Sequence, residues 1–134
     1  LGGFWEKLNP YFGEEPEFCC RALDSGWAIL HTPYVNIRHF ESPTERPPAR
    51  RLYYGVRNTP WLALRHFPMP AMLSLWVLTW GYFFLIALRN GQLCSYVPAV
   101  VACIKELPEI WAMRQQVKPE TVRSLRAYSG LLWR

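Results

Sequence analysis

Apolar positions are unevenly spread along this chain, and their period changes from one stretch to the next. Between Glu14 and Ser25, the residues Phe18, Cys19, Ala22 and Leu23 form an i, i+1, i+4, i+5 stripe, with Glu17, Arg21 and Asp24 opposite. That period predicts an amphipathic helix. Pro16 suits its first turn, where an N–H is not needed; the acidic residues there complement the helix dipole, and Gly26 is placed to end it. Trp27-Ala28-Ile29-Leu30 is a short apolar run and predicts a buried strand. After the Thr32-Pro33 turn, Tyr34 to His39 alternates, with Val35, Ile37 and His39 on one side, and predicts a second strand.

Downstream the pattern changes again. Pro43, Pro47 and Pro48 among Arg46, Arg50 and Arg51 read as an exposed connector. Leu52 to Phe67 interleaves Arg57, Arg65 and His66 with Tyr53, Tyr54, Trp61 and Leu64, the pattern of an interfacial helix, with Pro60 as a break or kink. Ala71 to Leu88 carries no charge and has the minimum length for crossing a bilayer, yet Trp76, Trp80 and Tyr82 sit in its middle. Leu93 to Ile104 is shorter and contains Pro98. An in-plane or re-entrant hairpin fits these two segments, and so does one span followed by an interfacial helix. Basic residues flank the block on both sides (Arg65 before, Arg89 and Lys105 after), so charge gives no orientation for a single crossing, whereas a hairpin with both ends cytoplasmic is consistent with it. From Glu106 to Arg134, short amphipathic helices starting at Pro108 and Pro119 are expected.

Composition sharpens this picture. The chain is 51% hydrophobic with a net charge of +5, and its basic residues flank the apolar block. That arrangement suits an anionic membrane surface; no nucleic-acid motif accompanies it, so nucleic acid is not expected as a partner. Cys19, Cys20, Cys94 and Cys103 lack CxxC spacing, which argues for reduced thiols and against a zinc site. The sequence opens at Leu1 with loop chemistry, and is expected to be part of a longer polypeptide.

Candidate chemistry lies in Glu14, Glu15 and Glu17 and in His39. A carboxylate can take the proton from an attacking hydroxyl, and an imidazole can help ligate a divalent cation that stabilises a departing diphosphate. Phe4, Trp5, Tyr11 and Phe12 offer flat surfaces to a sugar or lipid, or pin their own loop to the core. Taken alone, the acidic cluster equally fits a helix cap, and His39 a structural residue beside Glu41; His31 and His66 have no carboxylate company and read as structural or surface groups.

The order of these pieces carries a resemblance. Gly2-Gly3-Phe4, Glu6, Phe12, Glu14-Glu15, Glu17-Phe18-Cys19, Arg21, Gly26-Trp27, Pro33 and His39, followed by Tyr53-Tyr54, Arg57-Asn58 and Arg65-His66-Phe67-Pro68, resemble the distal part of family 2 (GT-A) glycosyltransferases of the rhamnosyltransferase-like group. The match runs over nearly the whole chain. Trp5 stands where that group has an acidic residue, Pro16 where it has an aliphatic one, and Asp24 is the sole aspartate, so the nucleotide-binding half with its D-x-D motif is not in this sequence.

The resemblance implies an α/β fragment (the distal half of a GT-A-like domain, residues 1–45), a basic amphipathic connector (46–69) and a mostly α-helical membrane-associated tail (70–134). It implies an inverting transferase with Glu15 as base and Glu14 beside it. Gly2, Gly3, Phe4, Trp5 and Glu17 would contact substrate, and His39 a metal, Mg²⁺ or Mn²⁺ in the full-length enzyme. The donor would be a nucleotide-sugar and the acceptor a polyprenol-linked or surface glycan, at the cytoplasmic face of the membrane. This chain alone would be inactive. The rival expectation is a non-enzymatic membrane-anchoring or protein-interaction module.

Overall fold

In the computed structural model, the residues described are 1–8, 12–30, 32–38 and 47–127. They form a 3₁₀ turn at Glu6–Leu8 and six helices: α1 (Glu14–Asp24), α2 (Pro48–His66), α3 (Met69–Arg89), α4 (Leu93–Lys105), α5 (Leu107–Ala112) and α6 (Pro119–Ala127). No strand is present among the described residues, which overturns the expected α/β class. Trp27–Leu30 runs as exposed coil, with Trp27 65% and Leu30 84% accessible, and residues 34–38 do the same. A strand needs a neighbouring backbone to bond to. The described residues supply none, so apolar runs with strand period stay unpaired.

The basic amphipathic stretch holds α2, where the sequence predicts a helix over Leu52–Phe67, and the other helices gather around it. Prolines begin several of the helices: Pro48 opens α2, Pro70 lies in the first turn of α3, Pro108 in that of α5, and Pro119 opens α6. Each tolerates proline because its N–H would be unbonded there anyway. α2 packs on α3 and α4 along its length. One core joins Trp61, Phe67, Met72, Leu75, Cys103 and Ile110; a smaller one joins Leu52, Val56, Ala87 and Ala99.

Pro60 sits inside α2 without ending it. Having no N–H, it leaves the Val56 carbonyl without its helical donor. The Trp80 indole N–H of α3 takes that place at 3.2 Å, and the Trp76 indole donates to the Pro60 carbonyl at 2.9 Å. The tryptophans that looked misplaced in an apolar segment are therefore inward-facing groups that fasten α3 to α2. Gly55 lets the helices approach closely: a Cβ there would lie 2.4 Å from the Phe83 ring.

The other side of the α3–α4 hairpin is open. Val77 and Leu85 on α3 are 72% and 66% accessible, and Leu73, Leu88, Val97 and Val101 are also exposed. α3 is the one described helix long and apolar enough to cross a membrane, by length and composition.

The segment after α5 closes the bundle. The Gln115 and Val117 N–H groups bond the Arg65 and His66 carbonyls at 2.9 Å each. The Arg114 guanidinium donates to the carbonyls of Leu64 and of Phe67, the latter at 2.6 Å, capping the C-terminal end of α2.

Candidate functional site

The N-terminal part of the chain is held against the end of α2 by ion pairs. α1 ends as its sequence predicts: Gly26 adopts φ 85°, and the Trp27 and Gly26 N–H groups bond the Ala22 and Leu23 carbonyls at 3.0 Å, a Schellman closure. Its docking face differs from the expected one. The side carrying Glu17, Cys20 and Arg21 turns inward, and Glu17 is fully buried.

The Glu17 carboxylate receives two bonds from the Arg21 guanidinium, both at 2.8 Å, and one from His66 Nε2 at 2.9 Å. His66 Nδ1 faces the Gln115 carbonyl at 3.0 Å. Both ring nitrogens thus face oxygen partners. Burial by itself would raise the Glu17 carboxyl, but the hydrogen bonds from His66 and Arg21 outweigh it and hold the group at about 2. Arg65 approaches the same carboxylate at 4.0 Å and lies over the Trp5 ring, 4.2 Å from its centroid. Burial lowers the Arg65 guanidinium from its usual value.

Arg21 also organises the N-terminal loop. It donates to the carbonyls of Leu1 and of Gly3, the latter at 2.6 Å. Gly2 and Gly3 have φ of 75° and 77°, the left-handed region that suits glycine. Phe4 packs against Phe18 with ring centroids 5.2 Å apart and the planes tilted by 54°. Of the residues expected to contact substrate, then, Gly2, Gly3, Phe4 and Trp5 gather around α1. Glu17 is the anchor, and its oxygens are taken up by protein partners.

Glu14 and Glu15 begin α1. Glu15 is exposed; Glu14 is half-buried, with one carboxylate oxygen, Oε2, enclosed and without a hydrogen-bond partner. Ahead of them, the Asn58 amide of α2 donates to the Leu8 and Phe12 carbonyls at 3.0 and 2.7 Å. Phe12 in turn meets Phe83 of α3 edge-on at 6.3 Å. A hollow of about 290 Å³ opens at the other end of α1, lined by Leu1, Arg21, Asp24, Ser25, His66 and Gln115 among others, but not by Glu14 or Glu15.

His39 lies outside the described residues. Among those described, no three His, Cys, Asp or Glu side chains come together as a ligand set. A divalent cation such as Mg²⁺ needs several oxygens in a fixed array, and the described residues do not fit one. The cysteines are free thiols; burial pushes Cys20 and Cys103 up to about 12, which makes them inert.

The sequence reading left His66 without a carboxylate, yet its partner is Glu17, 49 positions away. The Glu17–Arg21 pair at i, i+4 was legible from spacing; the His66 contact had no local signal. No protein-family model, no curated protein and no solved structure matches the chain.

Proposed function

We propose that this chain is the acceptor-side, membrane-seated part of an inverting glycosyltransferase. It would act at the cytoplasmic face of the membrane, on a nucleotide-sugar donor and a polyprenol-linked or cell-surface polysaccharide acceptor. The observation that carries the reading is the division of labour within one helix turn. Glu17 is buried and clamped to Arg21 and His66, while Glu15 beside it is exposed. The clamp fixes α1 to the end of α2, which leads directly into the apolar α3.

In the reaction, Glu15 takes the proton of the acceptor hydroxyl as that oxygen bonds to the anomeric carbon. The bond from that carbon to the nucleoside diphosphate breaks, and the diphosphate departs with its electron pair. Trp5, with Arg65 over its ring, is the aromatic group this reading assigns to a sugar ring near α1.

In the full-length enzyme, Glu15→Gln is expected to lower transfer about 10²–10⁴-fold, the usual worth of a general base, with donor binding unchanged. An unaltered transfer rate would remove Glu15 from this role. The isolated chain is expected to show no turnover with any nucleotide-sugar.

The open apolar face of α3 and α4 also favours a second reading, a non-enzymatic membrane anchor or interaction module. Under it, neither Glu15→Gln nor any donor would produce an effect.

A further inference from the structure

α3 is 21 residues long, about 31 Å at 1.5 Å per residue, which equals the hydrocarbon thickness of a bilayer. Length alone would allow it to cross, but its neighbours argue against this. α2 runs antiparallel beside it for its whole extent: Met69 follows the end of α2, Trp76 bonds Pro60, Trp80 bonds Val56, and Phe83 lies against Gly55. Opposite the middle of α3, α2 carries Arg57 and Asn58, and the Asn58 amide bonds the Leu8 and Phe12 carbonyls. A crossing α3 would draw this polar layer, with the Arg57 charge, to the centre of the membrane, where ionised side chains are expensive.

On α3 and α4 the most accessible apolar residues lie on the side turned away from α2. Leu73, Val77 and Leu85 on α3 and Val97, Val101 and Ile104 on α4 all face away from α2. On that side the Ser74 hydroxyl donates to the Pro70 carbonyl of its own helix at 2.7 Å, so it brings no unmet donor to an oily surface. The only formal charges on α3 and α4 are Arg89 and Lys105, at their C-terminal ends, and both are basic. An apolar face with a basic rim complements an anionic headgroup layer.

We infer that the α3–α4 hairpin lies flat in one leaflet of an anionic bilayer, its outer face in the acyl boundary and α2 with α1 on the aqueous side. The inference rests on the membrane part of the proposed function and is independent of sugar transfer.

Nitroxide labels at Leu73, Val77, Leu85 and Val97, one per sample, test it on the full chain bound to phosphatidylglycerol–phosphatidylcholine vesicles. Cys19 and Cys94 are replaced by Ser, and the buried Cys20 and Cys103 stay unlabelled. Oxygen and nickel-chelate accessibility should place all four labels at one shallow depth. Leu85→Glu should weaken vesicle binding at least tenfold. A depth profile that passes through the bilayer centre along α3 would establish a span and overturn the inference. Failure to bind vesicles would also overturn it, as would a dimer that hides all four labels. Because the readout is depth, it stands whether or not Glu15 proves to be a base.

Discussion

The C-terminal end of α2 and its flank meet different kinds of surface. At its C-terminal end, Arg65 and His66 join Glu17 and Arg21 in a buried ion cluster, and Arg114 caps the last carbonyls. Along its flank, α2 meets α3 and α4 through aliphatic and aromatic groups and three indole N–H bonds to backbone carbonyls. Charges fix a unique position because a buried carboxylate tolerates few arrangements. The apolar flank achieves the same uniqueness with indole N–H groups aimed at single carbonyls, one of them the Val56 oxygen that Pro60 leaves without its helical donor. The molecule thus joins a polar half, positioned by charge, to an oily half, positioned by shape.

The largest expected effect separates chemistry from this scaffold. Under the proposed function, Glu15→Gln should lower transfer about 10²–10⁴-fold, while thermal unfolding stays where it was, since Glu15 is exposed. Next comes the clamp. Glu17→Gln leaves His66 and Arg21 without their anion and should cost about 3 kcal/mol in denaturant unfolding; wild-type stability would argue against the clamp. The pH dependence has a definite sign. The folded value of about 2 lies below the ordinary 4.5, so the stabilisation is complete above about 4.5 and is lost as the pH falls towards 2. Glu17→Gln should flatten that acid limb.

The apolar half is probed by Gly55→Val, which forces the Phe83 ring aside and should cost about 1–3 kcal/mol through overpacking. Its effect should appear as loosened α2–α3 contact in hydrogen exchange, with the Glu17 cluster still protected. The smallest change concerns α6. Asp24 accepts the Lys118 N–H at 2.7 Å and the Thr121 hydroxyl at 2.8 Å, so α1 caps α6 from 94 positions away. Asp24→Ala should cost about 1 kcal/mol, the value of a helix cap, and open the α6 segment to protease before the rest.

Much of this was legible in the sequence, for reasons that also explain the misses. α1 follows from local period, α3 and α4 from their uncharged apolar runs, and several prolines mark where helices start. Gly26 ends α1 by a bond pattern contained within a few residues. The strands expected at Trp27–Leu30 and from Tyr34 failed because pairing is a non-local property, and apolar alternation cannot supply the absent neighbour. The orientation of α1 was misread for a related reason. Its charged stripe looked like the solvent face until Arg65 and His66 arrived from α2. Pro60 reads as a break or kink, and α2 runs on through it, with the Trp80 indole on the carbonyl that Pro60 leaves without its helical donor. At the candidate site, the pairing of Glu17 with Arg21 was within reach, whereas the anchoring role of His66 depended on a fold that brings distant residues together.

The Pro60 gap has a consequence for motion. A smooth pair of helices can slip past each other by a turn with little penalty, since one layer of leucines resembles the next. Here the sites on α2 are not equivalent. One carbonyl is left without its helical donor, and the indole of Trp80 reaches it. Sliding α3 by a turn would strand that oxygen in an apolar interface and leave the indole without a partner. The helix pair therefore works as a keyed coupling with one stable setting, so a displacement of the hairpin would be transmitted to α2 and onward to the start of α1.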